Sequence, residues 1–137
     1  MSEHEKQVGN ELYSKLREKM KDSFSNEDMA VIDKAFNVAN EAHGNQLRKS
    51  GEPYIIHPIA VAEILFDELG MDMPSISAAL LHDVVEDTNY TIEEISGLFG
   101  SEIALLVDGV TKINRMQISS KEEQQAENLR KMLIAMS

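Results

Sequence analysis

At 137 residues the chain is sized for one domain and can bury a real core, and with 42% apolar residues it is not disordered throughout. Its formal net charge of −11 argues against direct binding to nucleic acid or to an anionic membrane, both of which require a basic face. The absence of cysteine excludes disulfides, thiolate metal sites and a cysteine nucleophile. No apolar run approaches the roughly 18 residues of a membrane span. The start, Met1-Ser2-Glu3-His4-Glu5-Lys6, is too polar for a secretory signal, so a cytoplasmic location is the expectation.

Few stretches alternate with period two, and the chain reads as all-α. A first helix is expected from about Glu11 to Lys21, with Leu12, Leu16 and Met20 on one face. It would form an N-terminal helix within residues 1–24, ahead of a core over 25–137. Ser25 is suited to cap the second helix, with Asp28 as a weaker capping-box acid. Ile32, Ala35, Phe36, Ala39 and Ala42 form that helix's buried stripe, and Gly44 is a natural stop.

A polar loop, Asn45 to Pro53, concentrates positive charge at Arg48-Lys49. Adjacent basic residues in a loop are most often merely solvated; the functional alternative is a phosphate clamp. Tyr54-Ile55-Ile56-His57-Pro58 leads into a third helix, with Pro58 fitted to its first position and His57 at its entrance. Ile59, Ala62, Phe66 and Leu69 supply the core stripe, and Gly70 ends the helix. Pro74 opens the fourth.

That fourth helix carries Ala79-Leu80-Leu81-His82-Asp83-Val84-Val85-Glu86-Asp87-Thr88, where an apolar run gives way to a histidine and three acids within six residues. On a continuous helix His82 lies over Glu86 and Asp83 over Asp87. Like charges so close repel, and a cation lying over them would reverse that sign. A histidine beside an aspartate is also a plausible half of a metal site. The plainer alternative is a helix end passing from core to solvent.

Thr91-Ile92-Glu93-Glu94 is a capping box, Gly100 closes the helix that follows, and Ser101 caps another through Ile103, Leu106, Val107 and Val110. Asn114 to Ser120 lacks a period and reads as an exposed, mobile connection. A last helix starts near Ser120 and places Leu129, Met132, Leu133 and Met136 along one side. It reaches Ser137 still apolar and without a stop signal, so the expectation is a chain that continues, with self-association through that uncovered face.

The stretches Ala42-His43-Gly44-Asn45-Gln46-Leu47-Arg48-Lys49-Ser50-Gly51-Glu52-Pro53-Tyr54-Ile55-Ile56-His57-Pro58 and Ala79 to Thr88 resemble the N-terminal hydrolase domain of RelA/SpoT-type proteins. So do Asp108-Gly109-Val110-Thr111-Lys112 and Glu122 to Met132, and the likeness covers nearly everything from about Ala30 onward. It implies an HD-type, all-helical metal-dependent phosphohydrolase fold acting on the guanosine alarmones ppGpp and pppGpp. By the same resemblance, one Mn2+ ion is held by His57, His82 and Asp83. Glu86 and Asp87 are the catalytic acids, and Arg48 and Lys49 bind substrate. The family's fourth ligand, an aspartate, falls beyond residue 137.

The implied reaction removes pyrophosphate from the 3′ position to give GDP or GTP, in a parent that can also carry GTP pyrophosphokinase activity. Two imidazoles and a carboxylate leave coordination positions open for water and a phosphate oxygen, and they suit zinc, iron or nickel as well as manganese. Two other readings fit the same fold: a catalytically silent nucleotide-sensing module, and an HD phosphohydrolase acting on another nucleotide.

Overall fold

The computed structural model describes residues 3–43, 47, 51 and 53–116, and within them the side chains of 8–43, 47, 51 and 53–109. It is all-α: α1 (Glu3–Met20), α2 (Asn26–Ala42), α3 (Ile56–Asp67), α4 (Met73–Leu81), α5 (Val84–Asp87), α6 (Ile92–Phe99) and α7 (Ser101–Met116). Outside the helices Leu47 pairs with Pro53 in one antiparallel bridge. No described helix is long and apolar enough to cross a membrane.

The organising element is α4. Asp72 caps it by accepting from the Ser75 N–H at 3.2 Å and the Ser75 hydroxyl at 2.6 Å, and Pro74 lies in its first turn. Every residue from Ser75 to Leu81 is buried. A helix buried on every side must be covered on every side, and α2, α3 and α7 pack on it. The expected stripe of α2 supplies one wall, with Ile32, Ala35, Phe36 and Ala39 buried, while Ala42 is only half-buried. From α7 come Ile103, Leu106 and Val107.

Caps behave largely as the sequence indicates. Ser25 accepts from the Asp28 N–H at 3.0 Å, and Thr91 and Glu94 form the reciprocal capping box of α6. Lys34 of α2 donates to the Leu98 carbonyl at 2.7 Å and lies 5.2 Å from the Phe99 ring centroid, so a side chain satisfies the end of α6.

Several boundaries differ from the expectation. α1 begins at Glu3 rather than Glu11, because its first turns are mostly polar, include Gly9 and Asn10, and carry no apolar period to betray a helix. It belongs to the common core through Tyr13, Leu16 and Met20, and Lys19 links it to Glu63 and Asp67 of α3 at 3.1 and 3.0 Å. Pro58 is the third residue of α3, preceded by a tight turn with Ile56 N–H to Pro53 O at 3.3 Å and His57 N–H to Tyr54 O at 3.1 Å. The third position still needs no backbone donor, so proline costs nothing there.

α3 ends at Asp67; Gly70, at φ 59°, then turns the chain so that the Met71 N–H reaches the Leu65 carbonyl. Ser101 is the first residue of α7 rather than its cap. α7 continues through Met116, so Asn114 to Met116 are helical and not a connection. The remainder of that connection and the last helix, with its expected apolar face, lie outside the described residues.

Candidate metal centre

The centre forms where α3 begins and α4 ends. The sequence pattern suggests one helix running through His82 and Asp83, but α4 stops at Leu81 and α5 restarts at Val84. The break is slight. His82 (φ −60°, ψ −30°) and Asp83 (φ −99°, ψ −3°) keep right-handed helical dihedrals. The Ala79 carbonyl receives both the His82 N–H at 3.4 Å and the His82 ring Nδ1 at 2.5 Å. A carbonyl so engaged tightens the last turn from the α to the 3₁₀ pattern, and α4 ends there. Past the turn, the Asp87 N–H bonds the Asp83 carbonyl at 2.9 Å, so the expected stacking of Asp83 and Asp87 survives the interruption.

Asp83 Oδ2 is the hub. His82 Nε2 lies 3.0 Å from it, His57 Nε2 3.5 Å and the Tyr54 hydroxyl 3.0 Å. His57, His82 and Asp83 are all buried, and each offers one ligand atom within 4.8 Å of the other two. Among the described residues this is the one such convergence of three groups. Burial alone would push the Asp83 carboxyl up. The charge and hydrogen bond of His82, then the charge of His57 and the hydrogen bond from Tyr54, more than reverse this and hold it well below the usual carboxylate range.

Donor chemistry tests whether a divalent cation fits. The Nδ1 of His82 meets a carbonyl, which can only accept, so Nδ1 carries a proton, and the Nε2 facing Asp83 Oδ2 either bears a second proton, as an imidazolium, or presents a lone pair. A lone pair facing a buried carboxylate at 3.0 Å is repulsive unless a positive charge lies between them. Either a proton or a metal ion answers that need. Ligands about 2.1 Å from a common ion stand roughly 3.0–3.5 Å apart, the range of the two histidine–aspartate distances. The carbonyl behind His82 is the usual outer partner of a ligating imidazole. The residues fit a divalent ion.

Other sequence candidates fall at different distances from the hub. Asp87 is exposed, and its Oδ2 accepts from the Tyr54 hydroxyl at 2.6 Å; Glu86 is exposed on the same short helix. Arg48 and Lys49 lie outside the described residues. The base of their loop is described: Leu47 bridges Pro53, and Gly51 takes φ 91°.

Sequence reasoning passed over Tyr54, which looks like the start of an apolar run. Its ring stacks on buried His43 (centroids 4.6 Å apart, planes 21° apart) and meets His57 edge-on at 6.2 Å. Burial, then the charges of Asp83 and Asp87 and their hydrogen bonds, push its hydroxyl far up, so it remains a donor at any physiological pH. The available signal was that a tyrosine entering a core brings a hydroxyl that must find a partner.

A family model described as an HD domain matches residues 35–137. The chain belongs to the HD-domain family. This HD domain is 50% identical over 117 residues to a probable GTP pyrophosphokinase of Mycobacterium leprae, covering 85% of the chain and 14% of that relative. It is 44% identical over 125 residues to the bifunctional (p)ppGpp synthase/hydrolase SpoT of Escherichia coli K12, covering 91% of the chain and 18% of the relative. The chain therefore spans less than a fifth of these relatives' length. A solved structure of a metazoan ortholog of SpoT, one that hydrolyzes ppGpp and plays a role in starvation responses, matches with a TM-score of 0.61 at 29% identity. That match covers 75% of this HD domain and 65% of the ortholog's chain.

Proposed function

We propose that this HD domain is a hydrolytic centre for the guanosine alarmones ppGpp and pppGpp, releasing pyrophosphate from the 3′ position and leaving GDP or GTP. The observation that carries the reading is the convergence of His57, His82 and Asp83 in a chain 44% identical to a bifunctional (p)ppGpp synthase/hydrolase. In this reading those three side chains hold one Mn2+ ion. The ion, when bound, supplies Lewis acidity: it makes water more acidic at neutral pH and draws charge from the phosphoryl group.

The protein's own residues do the rest. His82 is kept in one tautomer by Ala79, and Asp83 stays ionised because two imidazoles and a hydroxyl surround it. Asp87, with Glu86 beside it, stands at the solvent edge of the buried cluster, where a carboxylate can orient the attacking water and take its proton. Water's oxygen bonds to phosphorus, the bond from phosphorus to the 3′ oxygen breaks, and that oxygen gains a proton as pyrophosphate departs. Arg48 and Lys49 offset the charge of the phosphates. An acidic protein needs such local positive charge to receive a polyanion.

The test is pyrophosphate release from ppGpp by a purified chain that also carries the fourth, carboxylate ligand that the resemblance places beyond residue 137. Release that requires Mn2+ and stops with EDTA or with His82→Ala is the expected result. Tight ppGpp binding without release under any divalent ion would make the domain a sensing module instead. Equal turnover of ordinary nucleoside triphosphates would make it a phosphohydrolase of another class.

A further inference from the structure

Tyr54 is held more firmly than a loop residue needs to be. His43 covers one face of its ring, the His57 ring abuts it, and its hydroxyl falls between two carboxylates, 3.0 Å from Asp83 Oδ2 and 2.6 Å from Asp87 Oδ2. One of those acids is buried and the other exposed. We propose that Tyr54 is a positioning residue whose hydroxyl couples the buried carboxylate of Asp83 to the exposed carboxylate of Asp87, so that the two acids hold one shared arrangement. The proposal rests on the functional reading above, in which Asp83 holds the ion and Asp87 serves the water.

The physical basis is that a phenol carries a single proton and two acids compete for it. The shorter contact is to Asp87, so the proton favours Asp87 and the Asp83 contact takes what remains. A cation held by His57, His82 and Asp83 would fix the Asp83 carboxylate while its oxygen still accepts from Tyr54, and the hydroxyl would carry that placement to Asp87. Loading the buried site thus fixes the side chain at the solvent edge. A group that handles the attacking water must be held to within about 0.5 Å. Aromatic side chains suit such a strut, since only two torsions need fixing.

The test uses Mn2+ alone as the probe, on the whole chain, with Tyr54→Phe, Asp87→Ala and the double variant. Tyr54→Phe keeps both ring contacts and removes only the hydroxyl. Calorimetry should give about a tenfold loss of Mn2+ affinity in Tyr54→Phe, the scale of losing an outer partner, with unchanged far-UV circular dichroism. The cycle should be non-additive by about threefold or more, as for groups in direct contact.

Wild-type affinity in folded Tyr54→Phe, or an additive cycle, would overturn the proposal. Should Tyr54→Phe not fold, the exposed Asp87→Ala change decides through tyrosine absorbance. Mn2+ should give a tyrosine difference spectrum in the wild type that is altered in Asp87→Ala, and an identical spectrum would refute the coupling. Mn2+ binding with the coupling intact but no pyrophosphate release would sink the functional reading alone. Turnover unchanged by Tyr54→Phe, together with unchanged affinity, would sink this proposal alone. No Mn2+ binding by the wild type would sink both.

Discussion

Gly9 offers a test of how α1 is seated against the centre. It is buried within α1, and a Cβ added there would stand 2.9 Å from Ile55 Cγ2 and 3.3 Å from Asn40 Oδ1. Carbon atoms in contact normally lie about 3.5–4.0 Å apart, so Gly9→Ala forces an overlap of roughly half an ångström or more. Ile55 is buried, and its Cγ2 is fixed to a β-branched carbon that cannot swing clear without a poor rotamer or a backbone shift.

Two effects oppose each other. Alanine favours a helix interior over glycine by about 0.5–1 kcal/mol, while overpacking costs about 1–3 kcal/mol. The clash wins, for a net loss of about 1 kcal/mol and a Tm lower by about 3–5 °C. Because Ile55 lies between Tyr54 and the start of α3, the displacement should also weaken Mn2+ binding severalfold. Thermal melts and calorimetry on Gly9→Ala measure both. In the Gly9→Ala background Ile55→Ala should cost less than it does alone, since the new methyl fills part of the vacated space. A Tm that rises while Mn2+ affinity stays constant would show that α1 does not press on Ile55, and the reasoning would fail.

Two further outcomes follow from the same geometry. Asp83 is depressed in the folded chain, so its stabilising effect is fully present above its unfolded pKa of about 4 and is lost as pH falls through the lower folded value. In EDTA, the Tm of the wild type should therefore drop more steeply below pH 4 than that of Asp83→Asn, and parallel slopes would contradict the assignment. Thr91→Ala removes the hydroxyl that accepts from the Glu94 N–H at 3.1 Å and should cost about 1 kcal/mol in denaturant unfolding; no loss would mean that the box is not holding α6.

What could be read from the sequence was mostly what acts locally. Ser25 and Thr91 declare themselves because a cap is a contact across three residues, and the α2 stripe shows because burial repeats with the helical period. His57, His82 and Asp83 were found through motif and ligand chemistry rather than through any rule of spacing. Two features escaped. The end of α4 at Leu81 is set by a side chain taking a backbone carbonyl, while both following residues keep helical dihedrals, so no breaker marks it. Tyr54 reaches Asp83 and Asp87 across 29 and 33 residues of chain, a distance over which periodicity says nothing.

The total enclosure of α4 sets a timescale as well as a shape. Its last residues lead straight into His82 and Asp83, and α2, α3 and α7 all pack on it. It cannot loosen alone, because releasing any face breaks contacts with another helix. Local opening needs a segment with few buried contacts, and α4 has none to offer. Its amide protons should exchange only when the whole domain unfolds, so the pair of residues at its end keeps its geometry for as long as the molecule stays folded. In the proposed function, ions and substrate would reach the centre from the other side, where Asp87 meets solvent. The domain has a still wall and a working edge.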